Sequence, residues 1–264
     1  MVLVALLLAL QATQDPPEFE PATEPPTFWI GPIFQYWLPR FRGEMRVDGS
    51  TSGTTLNFVH ELGMPDDAAI PMYGGGRIGG RVYGRNSGFN LSGVAEYWTR
   101  AWKGEDVTRS SVTVGDSTFP LGTRVASRLS LASVTLDIEG ATTSRKVDSG
   151  IDLSLQITSA RLRMDSTFGH ASESITTVCW GGGIFFDYKP VPFLFAGMSL
   201  KGFTGGAVSD TGMGDFRFYG GAQWGPVRLE GGFRILLYDH DLSEESLSYT
   251  LYGAYVLGSL TLRF

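Results

Sequence analysis

The sequence predicts an all-β fold: one ten-stranded antiparallel up-and-down transmembrane β-barrel. Three observations carry this. Ten runs of strand-like alternation follow one another from residue 31 to Phe264, their connections alternate between short and long, and after residue 10 no apolar run is long enough for a helical span. Eight or twelve strands are the alternatives, because 31–47 and 122–143 are the least regular runs. Of 264 residues, 35 are Gly, aromatics reach 12% and charged residues only 18%. That mixture is too apolar for a disordered chain and too even for a helical membrane protein.

In chain order, residues 1–12 read as a signal peptide: Val2 to Leu10 is a short apolar run, followed by the small residue Ala12. Residues 13–28 read as a disordered leader, since Gln14 to Thr27 holds five prolines and four acidic residues and cannot build a packed core. The barrel is then expected over 29–264. Its strands are expected near 31–47, 72–86, 89–103, 122–143, 149–165, 174–188, 193–206, 212–224, 227–239 and 246–264. Turn residues mark short connections at Ser87–Gly88, Ser144–Asp148, Lys189–Pro192 and Gly225–Pro226. The stretches near 48–71, 104–121, 166–173, 207–211 and 240–245 read as longer or more polar loops on the other rim.

Each strand opposes an apolar face to a polar one. In 227–239, Val227, Leu229, Phe233, Ile235 and Leu237 oppose Arg228, Glu230 and Arg234; in 149–165, Ile151, Leu153, Leu155 and Ile157 oppose Asp152, Ser154, Gln156 and Thr158. In lipid the apolar faces turn outward and the charged faces inward. Tyr188, Trp224, Trp102 and Trp37 fall near strand ends, where interfacial aromatics are expected.

The final stretch, Ser246 to Phe264, puts Tyr252, Ala254, Val256, Gly258, Leu260, Leu262 and Phe264 on one face. Ending with Leu260, Leu262 and a terminal Phe264, with Arg263 turned inward, it resembles the closing strand of bacterial outer-membrane β-barrel proteins, the small-barrel class that includes OmpA and OmpW. Glu61-Leu62-Gly63-Met64-Pro65-Asp66-Asp67 resembles an element of the first outer loop in the same class. The resemblance implies an outer-membrane address, a periplasmic leader, recognition of Leu260, Leu262 and Phe264 by the barrel-assembly machinery, and contact with outer-membrane lipids and lipopolysaccharide. It implies no cofactor and no active site.

A net charge of −6 provides no basic field for nucleic acid. The single Cys179 excludes an internal disulfide and a multi-cysteine metal site. Projected inward are Arg42, Glu44, Arg46, Arg77, Arg81, Arg85, Glu96, Asp137, Glu139, Arg228, Glu230 and Arg234, among others. In a ten-stranded barrel these charges are expected to pair and fill the lumen. The alternative is an anion path along Arg77, Arg81 and Arg85, stacked on one wall.

Gly74 to Gly79 matches G-x-G-x-x-G, but strand alternation continues through it where a dinucleotide site needs a helix. His170 and Ser172 share a strand face, as in some outer-membrane lipid A deacylases, although Ile184 stands where those enzymes carry an acid; an outer loop is the plainer reading. Asp239, His240 and Asp241 resemble the acidic and Asp/His pairs of ten-stranded outer-membrane proteases, yet neighbours on a strand diverge. His60, His170 and His240 would meet only if three loops converged. The sequence thus predicts a non-enzymatic outer-membrane barrel with a structural or surface role and a charge-filled, closed lumen. The alternatives are a small-solute or anion pore and a lipid-modifying hydrolase.

Overall fold

The computed structural model describes residues 27–66, 70–81, 88–144, 146–205 and 210–264. Ten long strands follow one another: β1 (Thr27–Val47), β2 (Ile70–Arg81), β3 (Gly88–Val107), β4 (Arg124–Thr143), β5 (Val147–Ser166), β6 (Gly169–Val191), β7 (Leu194–Gly205), β8 (Asp210–Trp224), β9 (Val227–Asp241) and β10 (Glu245–Leu260). Each pairs antiparallel with its neighbours in sequence, and β1 returns to β10 in a seam from Ile33↔Ser259 to Val47↔Glu245. Leu262–Arg263 extends that seam, and Phe28 and Phe264 exchange backbone hydrogen bonds of 3.3 and 2.9 Å. The ring therefore has no open edge. The signal-peptide and most of the leader positions lie outside the described residues, as do 82–86 of the expected second strand.

Alternation sets the faces, and near the rim where Phe28 meets Phe264 the apolar face is outside. Ile151, Leu153, Ile138 and Trp180 are 60–67% exposed, whereas Asp137 and Asp152 on the opposite faces are 5% and 3% exposed. The apolar belt runs from Phe28 to Leu38 on β1, Ile151 to Ile157 on β5 and Val227 to Leu237 on β9. At about 25 cal/mol per Å² such a belt is costly in water and favourable in lipid. Where β2 is crowded with glycine, Gly79 makes room for Trp29: a Cβ there would sit 2.8 Å from the Trp29 ring.

Strands of about 20 residues exceed the 9–11 that cross a bilayer, and beyond the belt the faces invert. On β5 the outward series Ile151–Ile157 gives way to Ser159, Arg161, Arg163 and Asp165, while the inward series Asp152, Ser154, Gln156, Thr158 gives way to Ala160, Leu162 and Met164. The same inversion places Arg42, Glu44 and Arg46 outward, against the inward projection. Charge faces water there because no lipid surrounds that height. Trp37 and Trp102 are 0% and 1% exposed and pack inside rather than in an interfacial girdle; Tyr188 and Trp224 are on the exposed face.

The connections on the far rim add to the inner packing. Asn57 Oδ1 accepts the N–H groups of Val59 and His60, and Glu61 Oε2 accepts the Asn57 N–H at 2.7 Å, which turns the first loop inward. Phe58, Leu62 and Met64 are thereby buried in the barrel mouth. Gly104 allows this approach, since a Cβ there would lie 1.9 Å from the Leu62 carbonyl oxygen, which also accepts from Ser127 Oγ. Beside them the small hairpin Val112–Val114 with Ser117–Phe119 buries Val112, Val114 and Phe119. Two of the expected longer connections are tight: 240–245 reduces to 242–244 between β9 and β10, and 166–173 is a two-residue turn at Thr167–Phe168, with β6 beginning at Gly169. The polar residues there read as loop, yet they are the water-facing half of a strand.

Candidate functional site

The inward charges of the belt half form four groups. On one wall Arg77 Nη2 lies 2.6 Å from Glu139 Oε2, with Ser92 Oγ donating to the same oxygen at 3.1 Å. In the centre Asp215 accepts from Arg234 at 2.7 Å and Arg217 at 3.0 Å, and Arg217 reaches Glu96 at 3.2 Å. Lys201 bridges Asp137 at 2.9 Å and Asp152 at 3.6 Å, and Ser154 donates to Asp137. Toward the terminal rim Arg228 pairs with Asp187 at 3.2 Å and Glu230 at 2.9 Å, stacks 3.8 Å from the Phe195 ring, and Tyr255 donates to Glu230 at 2.6 Å. These contacts satisfy charges that would be expensive to hold alone.

Of the predicted lumen residues, Arg77, Glu96, Asp137, Glu139, Arg228, Glu230 and Arg234 all point inward and are engaged as above. Only Glu139 meets Arg77; Glu96 and Asp137 reach across the lumen to β8 and β7. Arg85 and the Arg81 side chain lie outside the described residues. Sequence reasoning missed Lys201, Asp215 and Arg217 as the hub: they were legible as inward-facing charges, but their partners lie on distant strands.

A cavity of about 380 Å³ occupies this half, reaching from Trp29, Lys189 and Arg263 at the terminal rim to Glu96, Lys201 and Arg217 at its floor. Above the floor the interior is mostly apolar, with a few hydrogen-bonded polar groups such as Thr177 and His240 among the rings. Arg234 stacks 4.9 Å from the Trp37 ring, Phe41 stacks on Trp102 at 4.4 Å and on Phe58 at 5.3 Å, and Tyr238 stacks on Tyr249 at 4.7 Å. These rings are buried, so the cavity is a vestibule that ends on packed side chains.

The other sequence candidates fall apart or regroup. His240 is inward and buried, bonded to Thr211 at 2.7 Å and Glu245 at 3.3 Å, while Asp239 faces out. Among the described residues no group of His, Cys, Asp and Glu has a metal-binding arrangement. His170 and Ser172 both face outward on β6, and the tight turn brings Asp165 opposite His170, with Oδ1 2.6 Å from Nδ1. This carboxylate precedes the His-x-Ser pair, whereas the resembled deacylase pattern carries its acid downstream.

No family model matches the chain, and no curated protein matches it. Among solved structures it is similar to the attachment invasion locus protein Ail of Yersinia pestis (12% identity over 87% of this chain and 98% of that one, TM-score 0.29). It is also similar to the outer membrane protease OmpT of Escherichia coli (8%, 89% and 97%, TM-score 0.42) and to the toluene transporter TodX of Pseudomonas putida (9%, 92% and 91%, TM-score 0.34). Likenesses at this level carry nothing about activity. The closed antiparallel ring with its exposed apolar belt stands by itself: the chain is a transmembrane β-barrel.

Proposed function

We propose that the protein is a non-conducting outer-membrane barrel with a structural or surface role, of the small-barrel class that includes OmpA and OmpW. The observation that carries this is the double filling of the interior: an ion-paired layer within the belt, and above it a layer of buried rings under Phe58, Leu62 and Met64. Barrels of this strand number are narrow enough for side chains to fill. Leu260, Leu262 and Phe264, all on the exposed face, are the proposed signal to the barrel-assembly machinery. Proteoliposome swelling tests the reading: vesicles carrying the barrel should swell in small sugars and amino acids no faster than empty ones, and faster swelling would make the protein a pore.

A second reading is favoured by one contact. With Asp165 held at Nδ1 of His170, Nε2 is directed away from the carboxylate, and Ser172 shares the same face. As in lipid A deacylases, His170 would take the Ser172 proton as the hydroxyl adds to an ester carbonyl and return it to the departing alkoxide; water would then release the fatty acid. Fatty-acid release from lipopolysaccharide that is lost in S172A and H170A, with the barrel still heat-modifiable in gels, would support it. No release by the native protein would remove it.

A further inference from the structure

We infer that the outer wall of β3–β5, just beyond the apolar belt, is a binding site for the phosphate groups of a lipid head group. Lys103, Arg128 and Arg163 are outward, exposed and directly opposite one another across three adjacent strands, through the register pairs Lys103↔Arg128 and Arg128↔Arg163. Arg161 lies one step nearer the belt on the same face. Like charges directly opposite on a sheet repel, so an unneutralised row of three disfavours the fold.

The wall holds no counterion of its own. Its two outward acids are engaged elsewhere: Glu105 with Arg124 at 2.5 Å and Asp165 with His170 at 2.6 Å. Among the described residues no carboxylate lies within ion-pairing distance of Lys103, Arg128, Arg161 or Arg163. The basic row does not continue round the whole barrel: the outward charges at this height on β8 and β9 are Asp210, Asp239 and Asp241, and on β1 Arg42 and Arg46 alternate with Glu44, with Arg46 paired to Asp48. The missing partner is therefore an anion that comes to this wall.

Height identifies its source. Ile157 is the last apolar outward residue of β5; at about 3.3 Å per residue and a tilt near 45°, Arg161 and Arg163 stand roughly 9 and 14 Å beyond it. Long basic side chains reach back from there to the phosphate level of the bilayer. Between the belt and the basic row lie Thr99, Ser130, Ser159 and Thr176, hydroxyls suited to the sugar or glycerol oxygens of a head group. The outer-membrane lipid with clustered phosphates, lipopolysaccharide, fits this chemistry. The site depends on the barrel's place in the membrane and not on whether its lumen conducts.

Native mass spectrometry of the full-length protein in detergent, titrated with diphosphorylated lipid A, tests the inference. The native barrel should hold one lipid through detergent exchange, and the triple variant Lys103→Ala, Arg128→Ala, Arg163→Ala should bind roughly a hundredfold more weakly. Arg40→Ala with Arg42→Ala, on another wall, should bind as the native protein does. A Lys103→Arg, Arg128→Lys, Arg163→Lys variant keeps the charge and should retain most binding, which separates loss of the site from loss of the fold. Equal binding by native and triple-alanine proteins, equal retention of dephosphorylated lipid, or displacement by millimolar inorganic phosphate would each overturn the assignment to lipid phosphate.

Discussion

Arg234 sits with its guanidinium 4.9 Å from the ring of Trp37 while bonded to Asp215, and this contact is the boundary between two different interiors. On one side lies a layer of ion pairs inside a belt of lipid-facing side chains. On the other lies an apolar core inside a polar wall, packed as in a water-soluble barrel. The guanidinium presents charge to Asp215 and its flat face to the indole, a geometry that Arg satisfies and Lys does not.

Removing the shared carboxylate should expose how the charged layer is held. Asp215→Ala takes a common acceptor from Arg217 and Arg234, and a loss of about 3–5 kcal/mol is expected for breaking a buried ionic group. Urea unfolding from lipid vesicles, followed by tryptophan fluorescence, measures it. A change below 1 kcal/mol would mean that water already solvates this layer.

The apolar layer makes a separate demand. Trp102→Ala leaves a cavity beneath Phe41 and Phe58 and should cost about 3–5 kcal/mol by the same measurement. Because Trp102 lies beyond the belt, the loss should be the same in thin and thick bilayers.

Position along a strand should decide what a charge costs. Leu153→Arg places a cation in the middle of the belt and should destabilise insertion by about 2–4 kcal/mol, whereas Ser159→Arg, past the belt edge, should cost at most about 1 kcal/mol. Equal costs would mean that the belt is drawn at the wrong height.

Cys179 is inward and 2% exposed, and it does not line the vestibule. A small charged thiol reagent added to both sides of protein-containing vesicles should leave it unmodified until the barrel is unfolded. Rapid labelling in the folded state would reveal a water path past the aromatic layer.

The ten strands were legible because alternation and turn residues repeat along the chain, and within the belt the exposed faces of Ile151–Ile157 and Val227–Leu237 follow from that alternation. The second half of each strand was not legible in the same way. Alternation gives two faces but not which is inside, and the rule that charge points inward holds only where lipid is outside, so Arg42, Glu44 and Arg46 were turned the wrong way. Cross-lumen partners were also hidden: Glu96 and Arg217 are 121 residues apart, and nothing local announces their meeting. Asp165 and His170 were near enough to read, but the Thr167–Phe168 turn lacks the Asn-Gly or Asp-Gly signal of a tight hairpin.

The packed interior is tested most directly by single-channel recording of the purified, refolded protein in a planar bilayer. The two filled layers predict no steady conductance, in the native protein and in Arg77→Ala alike. A steady, ohmic current carried by the folded barrel, changed in selectivity by Arg77→Ala, would contradict the closed lumen and make the vestibule the mouth of a pore.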